Sequence, residues 1–344
     1  FTAMQKFFTL LLQALKGEEQ EYTSGSINRA IFLLSVPMIL EMVMESLFAV
    51  VDVFFVSKIS TDAIATVGLT ESVLTLVYSV AIGLSTAATA IVARRVGEKQ
   101  FIEAGHAAAQ VILVSLGLGM AMGLGGFFGA EATGTIQVLA TQFKVNIAII
   151  RNLLSVAAGG TGQFLISSAS WVFLTRILSD FGPSIVAGYT IAIRIIVFTI
   201  LPSWGMANAA ATLVGQNLGA NKPDRAEASV WRAAFLNFLF LAVIALVFFI
   251  FSRPIISWFN ADPVTVNTGV NCLRIVCLGY LFFAYGMVIS QSFNGAGDTL
   301  APTLMNLFCF WAVEIPLAYI LAKQLKMGPE GVYTSVAFSE SLLA

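Results

Sequence analysis

Three acidic residues are spaced to share one face of the first long apolar segment of this chain. Glu41, Glu45 and Asp52 are separated from one another by 4, 7 and 11 positions. At about 100° per residue, these spacings bring all three within roughly 40° of one another on an α-helix. Crowded, partly desolvated carboxylates bind protons or small cations, and their titrations are coupled. The spacing therefore predicts a cation-binding stripe, which the substrate would also use.

The surroundings of this stripe follow from the cost of placing it in a membrane. One acidic side chain at mid-bilayer costs about 3 kcal/mol, so three facing lipid would cost about 9 kcal/mol. The twelve Leu, Ile, Val and Phe residues from Ile31 to Val51 offset only about 6 kcal/mol, at ~0.5 kcal/mol each. The stripe is therefore expected to face protein or a water-filled cavity. Hydrogen bonds to neighbouring helices would also satisfy it, but we favour the cavity because three carboxylates lack matching basic residues.

Three further charged residues in apolar segments are candidate secondary sites. Arg194 lies in Ile191-Ala-Ile-Arg-Ile-Ile-Val, and a counter-ion to the stripe and a helix-cap partner near an interface are equally good interpretations. Glu314 stands two residues before Pro316, where we favour a structural hydrogen bond beside a kink over a second coupling site. Glu71 lies near the start of the second apolar segment.

The composition indicates that helices in a membrane carry these residues. Apolar residues make up 58% of the chain and charged residues 11%, and the mean hydropathy is +0.88, whereas a soluble domain has about 25% charged residues. Apolar stretches near ~20 residues recur, as a bilayer core ~30 Å thick requires. The sequence predicts an all-α polytopic membrane protein with spans at 28–56, 63–94, 103–128, 152–178, 184–215, 229–252, 265–292, 302–323 and 331–344.

One passage of the chain occurs twice. Residues 83–97, GLSTAATAIVARRVG, are echoed by residues 205–219, GMANAAATLVGQNLG. Duplication in an apolar chain is typical of transporters built from two repeated helix bundles around a substrate cavity. We therefore predict two pseudo-repeated bundles, the first incomplete. The predicted parts are an amphipathic interfacial segment that lies on the membrane surface, the truncated N-terminal bundle and the C-terminal bundle, at 1–26, 27–149 and 150–344.

Enzymatic and metal-binding signatures are missing from the sequence. His106 is the single histidine, and no His-Glu-x-x-His, Gly-x-Ser-x-Gly, Walker or Gly-x-Gly-x-x-Gly motif occurs. We therefore predict no catalytic residue, no cofactor and no metal site, with H⁺ or Na⁺ acting only as a coupling ion. The net charge of −1 gives no reason to expect a nucleic-acid partner. The cysteines are interpreted as small packing residues.

Several motifs resemble the multidrug and toxic compound extrusion (MATE) family. The resemblance runs from about Ser26 over nearly the whole chain, and its motifs are Pro37 with Asp52-Val-Phe-Phe-Val-Ser-Lys-Ile, Thr66-Val-Gly-Leu, Ala90-Ile-Val-Ala-Arg-Arg-Val-Gly97, Ala187-Gly-Tyr-Thr-Ile-Ala-Ile-Arg-Ile195, Val214-Gly-Gln-Asn-Leu-Gly-Ala220 and Asn294-Gly-Ala-Gly-Asp-Thr299. It implies two six-helix bundles, a V-shaped central cavity, and export of cationic amphipathic compounds in exchange for H⁺ or Na⁺.

The same resemblance assigns a role to one residue and leaves two family positions unfilled. Asp52 matches the family's first-helix aspartate, which is tied to cation coupling. The family's acidic residue in the seventh helix falls near Ser167 and Ser168, and an aspartate that some members carry in the tenth helix falls near Phe283. Neither acid is present here, which argues against coupling through the second bundle.

The chain is shorter than the resemblance requires. After about Gly129 the likeness passes from the family's third helix almost directly to its seventh, so about three helices of the first bundle are missing. The two copies of the repeated passage are three crossings apart, yet basic links follow both, at 94–99 and 222–232. The positive-inside rule puts both links in the cytoplasm, which an odd number of crossings forbids. We therefore expect a misplaced link, or a failed span near 129–149.

The function predicted from these observations is a cation-coupled antiporter that works by alternating access in the cell (inner or plasma) membrane. Its partners would be small cationic substrates and the lipid bilayer, and it would be a monomer. Two alternatives stay open. One is a flippase for lipid-linked precursors of the same superfamily, whose anionic substrate would require a basic cavity. The other is a transport-dead membrane fragment.

Overall fold

The computed structural model describes residues 2–16, 22–56, 61–122 and 146–344, and for residues 2–4, 6–7, 46, 48–56, 61–77 and 119–122 it describes the helix without the side chains. The helices in these ranges are α1 Thr2–Lys16, α2 Ile27–Val56, α3 Thr61–Gly97, α4 Phe101–Met122, α5 Ile147–Ser179, α6 Pro183–Gly219, α7 Pro223–Ser257, α8 Pro263–Ala296, α9 Leu300–Gln324 and α10 Pro329–Leu342. Each predicted span corresponds to one of these helices. Residues 123–128 of the third span, and residues 129–145 in the region where a failed span was expected, lie outside the described residues.

The helices begin one to six residues before the predicted spans, because polar first turns are not part of the apolar stretches. Helix α7 shows this best, since it starts at Pro223 with Asp224 in its first turn, whereas the apolar stretch begins near position 229. Proline also occupies the first position of α6, α8 and α10. Its fixed φ suits a first turn, and its missing N–H group would have no intrahelical partner there.

Seven helices have the length and composition to cross a membrane, among the described residues. Their apolar segments are Ile27–Glu45, Tyr78–Gly97, Phe101–Leu118, Pro183–Gly219, Pro223–Ser257, Pro263–Ala296 and Leu300–Gln324. Helix α5 is long enough, with 33 residues, but its glycines and polar side chains make it less apolar. Helix α10 has 14 residues, which is short of the ~20 that a full crossing needs.

Helix α9 is not a regular α-helix. Residues Leu307–Glu314 and Ile320–Gln324 have π-helical hydrogen bonding, separated by the α-helical turn Ile315–Tyr319 that contains Pro316. The proline has no N–H group, so the ladder cannot continue unchanged past it. Widened turns of this kind are rare and are frequently found at functional sites.

The two copies of the repeated passage pack against each other at their carboxyl ends. The repeat has an offset of 122 positions, the difference between Gly205 and Gly83. A methyl group added at Gly97 would collide with the carbonyl of Gln216, and one added at Gly219 would collide with the carbonyl of Arg94. Because 216 and 94 also differ by 122, the contacts are reciprocal. Helices α3 and α6 are therefore related by a local pseudo-twofold axis, as in an isologous interface.

The same offset relates further elements, which the sequence comparison did not reveal. A methyl group on Gly83 would lie 2.8 Å from the backbone nitrogen of Thr161 in α5, and one on Gly205 would lie 2.9 Å from that of Ile39 in α2. Positions 161 and 39 again differ by 122. Lys99 and Asn221, also 122 apart, both have left-handed φ values, 59° and 57°. Helices α2–α4 are thus the counterparts of α5–α7.

Contacts along α5 settle its direction. Near its start, a methyl group on Gly159 would meet Thr299 at the start of α9, and just past its end Asp180 pairs with Lys323 near the end of α9, at 2.8 Å. Helices α5 and α9 are therefore parallel. Helix α9 follows α8. The end of α8, at Gly295, contacts α6 near the basic link that follows α6, so α9 begins on that side. Helices α4 and α5 both begin on the side of the basic links, which we call the link end.

This arrangement corrects the expectation that one link would be misplaced. Both links lie at the link end, because Gly97 and Gly219 meet there. An odd number of crossings between the two links would require α4 and α5 to point in opposite directions, but the contacts make these helices parallel. The described helices therefore satisfy the charge rule at both links.

Most of the buried apolar side chains belong to α5–α10. The largest cluster joins α5, α6, α7, α8, α9 and α10 around residues such as Leu174, Ile196 and Tyr280. Helix α2 adds Ala30 and Ile31 to a cluster with α6, α7 and α8, and α3 packs on α5 through a third cluster. Helices α2 and α3 therefore pack more on the helices after the predicted boundary at 149 than on each other. The domain boundaries themselves stay predictions.

The segment before α2 is a helix attached to the link end. Helix α1 exposes Phe8, Leu12 and Leu15, each by more than half, which fits the predicted amphipathic segment. Arg29 of α2 donates to Gln13 at 3.2 Å. Its placement on a membrane surface stays a prediction.

Candidate functional site

Two of the three predicted stripe residues have described side chains. Glu41 and Glu45 lie one turn apart on α2, and both side chains are exposed. Asp52 lies on the same helix and Glu71 on α3, but their side chains fall outside the described residues. No salt bridge links Glu41 or Glu45 to another described residue.

The stripe flanks the contact between α2 and α6. Met38 and Ile39 of α2 touch Gly205 of α6. Glu45 is 7 positions after Met38, which leaves it about 20° away around a helix and ~10 Å further along. Asp52 follows after another 7 positions on the same line. Because Gly205 meets the backbone of both Met38 and Ile39, the stripe runs beside the contact with α6 and not through it.

Close glycine contacts hold the helices together on the link side of the stripe. Helix α2 begins at the link end, where Lys222 donates to the carbonyl of Thr23 at 2.8 Å and Arg225 donates to three carbonyls of the preceding turn. Beyond the glycine contacts, α2 exposes Met44 by 62% and α3 exposes Tyr78 by 54%. The described side chains are therefore closely packed toward the link end and open toward the other end.

Arg194 lies on α6 across from the stripe. It is 11 positions before Gly205, which is about 20° around the helix and ~16 Å along it. Since α6 runs antiparallel to α2, Arg194 is at a depth between Glu45 and Asp52. Its side chain is exposed, and no ion pair joins it to a described carboxylate. The two interpretations of Arg194, a counter-ion to the stripe and a helix-cap partner, both stay predictions.

Glu314 is far from the stripe, in the bundle formed by α5–α10. Its side chain is 2% exposed, and its Oε2 atom is buried with no hydrogen-bond partner among the described residues. The Ser170 side chain of α5 lies next to it. The favoured expectation of a structural hydrogen bond therefore accounts for at most one of the two carboxyl oxygens.

A buried polar network, which the sequence had not revealed, lies at the position that corresponds to Glu41 in the repeat. Gln163 is the counterpart of Glu41 at the offset of 122. It exchanges hydrogen bonds with Asn294 at 3.0 and 3.1 Å and donates to the carbonyl of Thr299 at 3.2 Å. Extending the repeat offset from α3 and α6 to α2 and α5 would have revealed this correspondence.

Charged groups outside the membrane-spanning segments stabilise the loops at the end opposite the links. The Asp180 carboxylate accepts a hydrogen bond from Lys323 at 2.8 Å, and this bond and the positive charge of Lys323 lower the pKa of Asp180. Asp262 caps α8 by accepting from the hydroxyl and backbone nitrogen of Thr265, which lowers its pKa as well. Both groups belong to helix ends rather than to the candidate site.

Comparisons with known proteins bear on what this arrangement is. The model of the MatE family matches residues 37–162 and 160–320. The probable multidrug resistance protein YoeA of Bacillus subtilis (strain 168) is 25% identical over 202 residues, 58% of this chain and 44% of that protein. The probable multidrug resistance protein NorM of Caulobacter vibrioides is 29% identical over 163 residues, 46% of this chain and 34% of that protein. The chain thus spans less than half the length of these curated relatives.

Solved structures agree in fold. A MOP superfamily transporter from Pyrococcus furiosus, described as having a binding pocket of reverse polarity that suggests a different function, superimposes with a TM-score of 0.87 at 18% identity, over 95% of this chain and 96% of that one. A multidrug resistance MATE family transporter in an outward-facing conformation gives 0.86 at 19% identity, over the same shares. With a family model matched over most of its length, this all-α, multi-pass chain belongs to the MatE family, whose members are membrane transporters and not enzymes.

Proposed function

We propose that this chain exports cationic amphipathic compounds in exchange for H⁺ or Na⁺. Glu41, Glu45 and Asp52 would hold the coupling cation and the substrate in turn, and alternating access would expose them to either side of the membrane. The coupling ion and the substrates are the only bound species that this mechanism requires. The chain would act as a monomer in the cell membrane.

The observation that supports the proposal is the contact of α2 with α6 at Met38 and Gly205, on the helix that carries the stripe. From helical spacing we expect Glu45 and Asp52 beside this contact and Arg194 on α6 at an intermediate depth. Charged groups at such a depth are costly in lipid, so they belong in a protein-lined or water-filled space. A space with carboxylates on one wall attracts cations. Arg194 would neutralise the stripe when no cation is bound.

The names of the relatives support drug export as the substrate class. YoeA and NorM are both described as probable multidrug resistance proteins. A flippase for an anionic lipid precursor would require a basic cavity, whereas the groups along this wall are acidic. The described residues give that alternative no specific support.

The test is export of a cationic dye from proteoliposomes under an imposed H⁺ or Na⁺ gradient. We expect Asp52→Asn to abolish gradient-dependent export, because the amide cannot exchange a proton or pair with a cation. Glu227→Gln is the matched control, since Glu227 is an exposed acid on α7 outside the stripe. Export by Asp52→Asn at the rate of Glu227→Gln would contradict the coupling role.

The neighbouring glutamates sharpen this test. We expect Glu41→Gln and Glu45→Gln to reduce export moderately when made singly, because a carboxylate one turn away can still hold the cation. The double variant should lose far more than the product of the two single effects, since groups in contact are not additive. Strictly multiplicative effects would show that the two act separately. No export by the unchanged chain would instead favour a transport-inactive form.

A further inference from the structure

A second carboxyl lies beside Glu314 and was not singled out by the sequence. Glu340 of α10 acts electrostatically on Glu314 of α9, and both act on the thiol of Cys309. Cys309 and Phe310 pack against Leu343 of α10 in one buried cluster, so α9 and α10 are in direct contact around the two carboxyls. Glu340 Oε2, like Glu314 Oε2, is buried and has no hydrogen-bond partner among the described residues.

No positive charge compensates this pair. Within the described residues, the groups that act on either carboxyl include no lysine, arginine or histidine. The titratable groups that face the pair are the other carboxyl, the Cys309 thiol, and the hydroxyls of Tyr189 and Tyr280. Two unpaired carboxylates would each carry a desolvation penalty of several kcal/mol and would repel each other as well. The pair is expected to be neutralised by a bound species.

The hydroxyl of Ser170 bears on which species this is. Ser170 lies beside Glu314, but it donates its single hydrogen to the carbonyl of Ser167 at 2.8 Å. With that hydrogen bond in place, only the lone pairs of the hydroxyl are left, so a hydrogen bond to Glu314 would require a proton on the carboxyl. A hydroxyl rotated to donate to Glu314 would instead stabilise the charged carboxylate, so the proposal rests on the burial of the two carboxyls and the missing positive charge.

The cavity beside Glu340 is small. Glu340 lines it together with Trp171, Tyr280 and Phe283, and its volume is about 30 Å³. This is room for about one or two water molecules, whereas pockets for drug-sized ligands measure ≈300–1,000 Å³. A hard metal cation takes six or more oxygen ligands, and no group of three or more potential metal-binding side chains occurs among the described residues.

We propose that Glu314 and Glu340 form a proton-binding site between α9 and α10, separate from the α2 stripe. The pair holds at least one proton at neutral pH. Glu314 ends the π-helical segment Leu307–Glu314, so the widened turn sets the position of this carboxyl against α5 and α10. The small cavity beside Glu340 holds a water molecule that carries protons to and from the pair.

The test is infrared difference spectroscopy of the full chain, titrated from acid to alkaline pH in lipid. A protonated carboxylic acid has a carbonyl stretching band that a carboxylate lacks. We expect the unchanged chain to keep such a band at neutral pH and to lose it only at alkaline pH. Glu314→Gln and Glu340→Gln should each diminish the band, and the double variant should remove the contribution of the pair and leave only what the α2 stripe contributes. Glu330→Gln, on the same helix as Glu340 but hydrogen-bonded to Asn271 at the surface, is the matched control and should leave the band unchanged.

Two results would overturn the proposal. One is a band that is the same in the double variant as in the unchanged chain, and the other is no protonated band at neutral pH. Misfolding of both glutamine variants would also count against it, because an amide has the shape and charge of the protonated acid. The measurement needs no transport, so a chain that fails to export dye but keeps the band contradicts only the proposed function.

Discussion

Two repeat-equivalent positions, Glu41 on α2 and Gln163 on α5, differ sharply in their surroundings. Glu41 is exposed, whereas Gln163 is 8% exposed and hydrogen-bonded to α8 and to the residue before α9. The backbones around them are alike, since Gly205 meets α2 as Gly83 meets α5. The difference arises because α8–α10 cover α5–α7, while the described residues contain no equivalent cover over α2–α4. Burial in this fold is thus conferred by neighbouring helices and not by the repeat itself.

The pseudo-twofold axis predicts that both basic links lie on one side of the membrane. Two exposed positions are suited to labelling, Glu103 just after the first link and Asp224 within the second. Cysteines placed there should both be protected from an impermeant thiol reagent in intact cells. Ala261→Cys, in the loop between α7 and α8 at the opposite end, should be fully labelled. The background should lack the buried native thiols Cys272, Cys277 and Cys309.

Labelling of either link site from outside would show that the reciprocal contacts do not form in the membrane. It would also indicate that α4 and α5 point in opposite directions in the membrane.

The reciprocal glycine contacts should be the most sensitive positions for stability. Gly97→Ala and Gly219→Ala each push a methyl group into the partner's backbone, where overpacking costs about 1–3 kcal/mol. Thermal unfolding of the purified chain should show similar losses for the two variants. Gly117→Ala, on α4 with no neighbour within 4 Å of the added methyl group, is the control and should stabilise by about 0.5–1 kcal/mol. Very unequal losses at Gly97 and Gly219 would contradict the symmetry.

The same substitution at the two equivalent positions measures the effect of the covering helices. Gln163→Ala removes the donor to Asn294 Oδ1, while Asn294 still donates to Gln291. The loss should cost about 1–3 kcal/mol because a buried acceptor is then unsatisfied. Glu41→Ala removes an exposed group and should change stability by no more than about 0.5 kcal/mol. The midpoints of thermal unfolding of the two variants test this directly. Equal losses would mean that Glu41 is covered in the membrane.

The smallest effect is expected at Asp180, which ties the far end of α5 to α9. Its pKa is lowered from the ordinary value of 3.8, first by the hydrogen bond from Lys323 and then by that residue's charge. A lowered folded-state pKa adds stability above the ordinary value, and this stability is lost as the pH falls through the lowered pKa. Asp180→Asn should therefore destabilise the chain slightly at neutral pH and have no effect at low pH.

A double variant tests the cause of that pH dependence. In the Lys323→Gln background, Asp180→Asn should no longer change the unfolding temperature at neutral pH. An unchanged effect in that background would show that Lys323 is not the partner that matters.

The helices themselves were predictable from local sequence because they depend on local properties. Apolar stretches located the spans. A local cap also occurs at the start of α9, where Asp298 accepts from the nitrogens of Leu300 and Ala301 at 3.1 and 3.2 Å. The repeated glycines were found as well. Their roles as reciprocal contact points were not, because the partner residues lie more than 100 positions away in the sequence.

The candidate site was predicted less completely than the helices. Helical periodicity placed Glu41 and Glu45 on one face, and Arg194 was recognised as a possible counter-ion. Glu340 was overlooked because it lies in a short polar segment, and only packing against α9 brings it to Glu314. Charge spacing within one helix cannot reveal a pair formed by two helices.

The sequence by itself determined the membrane environment, the helices, the internal repeat and the resemblance to the MatE family, since hydropathy, periodicity and motifs are properties of short stretches. Only the tertiary structure decided which end each helix starts from, which of two equivalent residues is buried, and that α4 and α5 are parallel. The physical reason is that burial and partnership are set by contacts between distant segments. An acid on an apolar helix has the same local sequence whether its neighbour is a second carboxyl, an arginine or water.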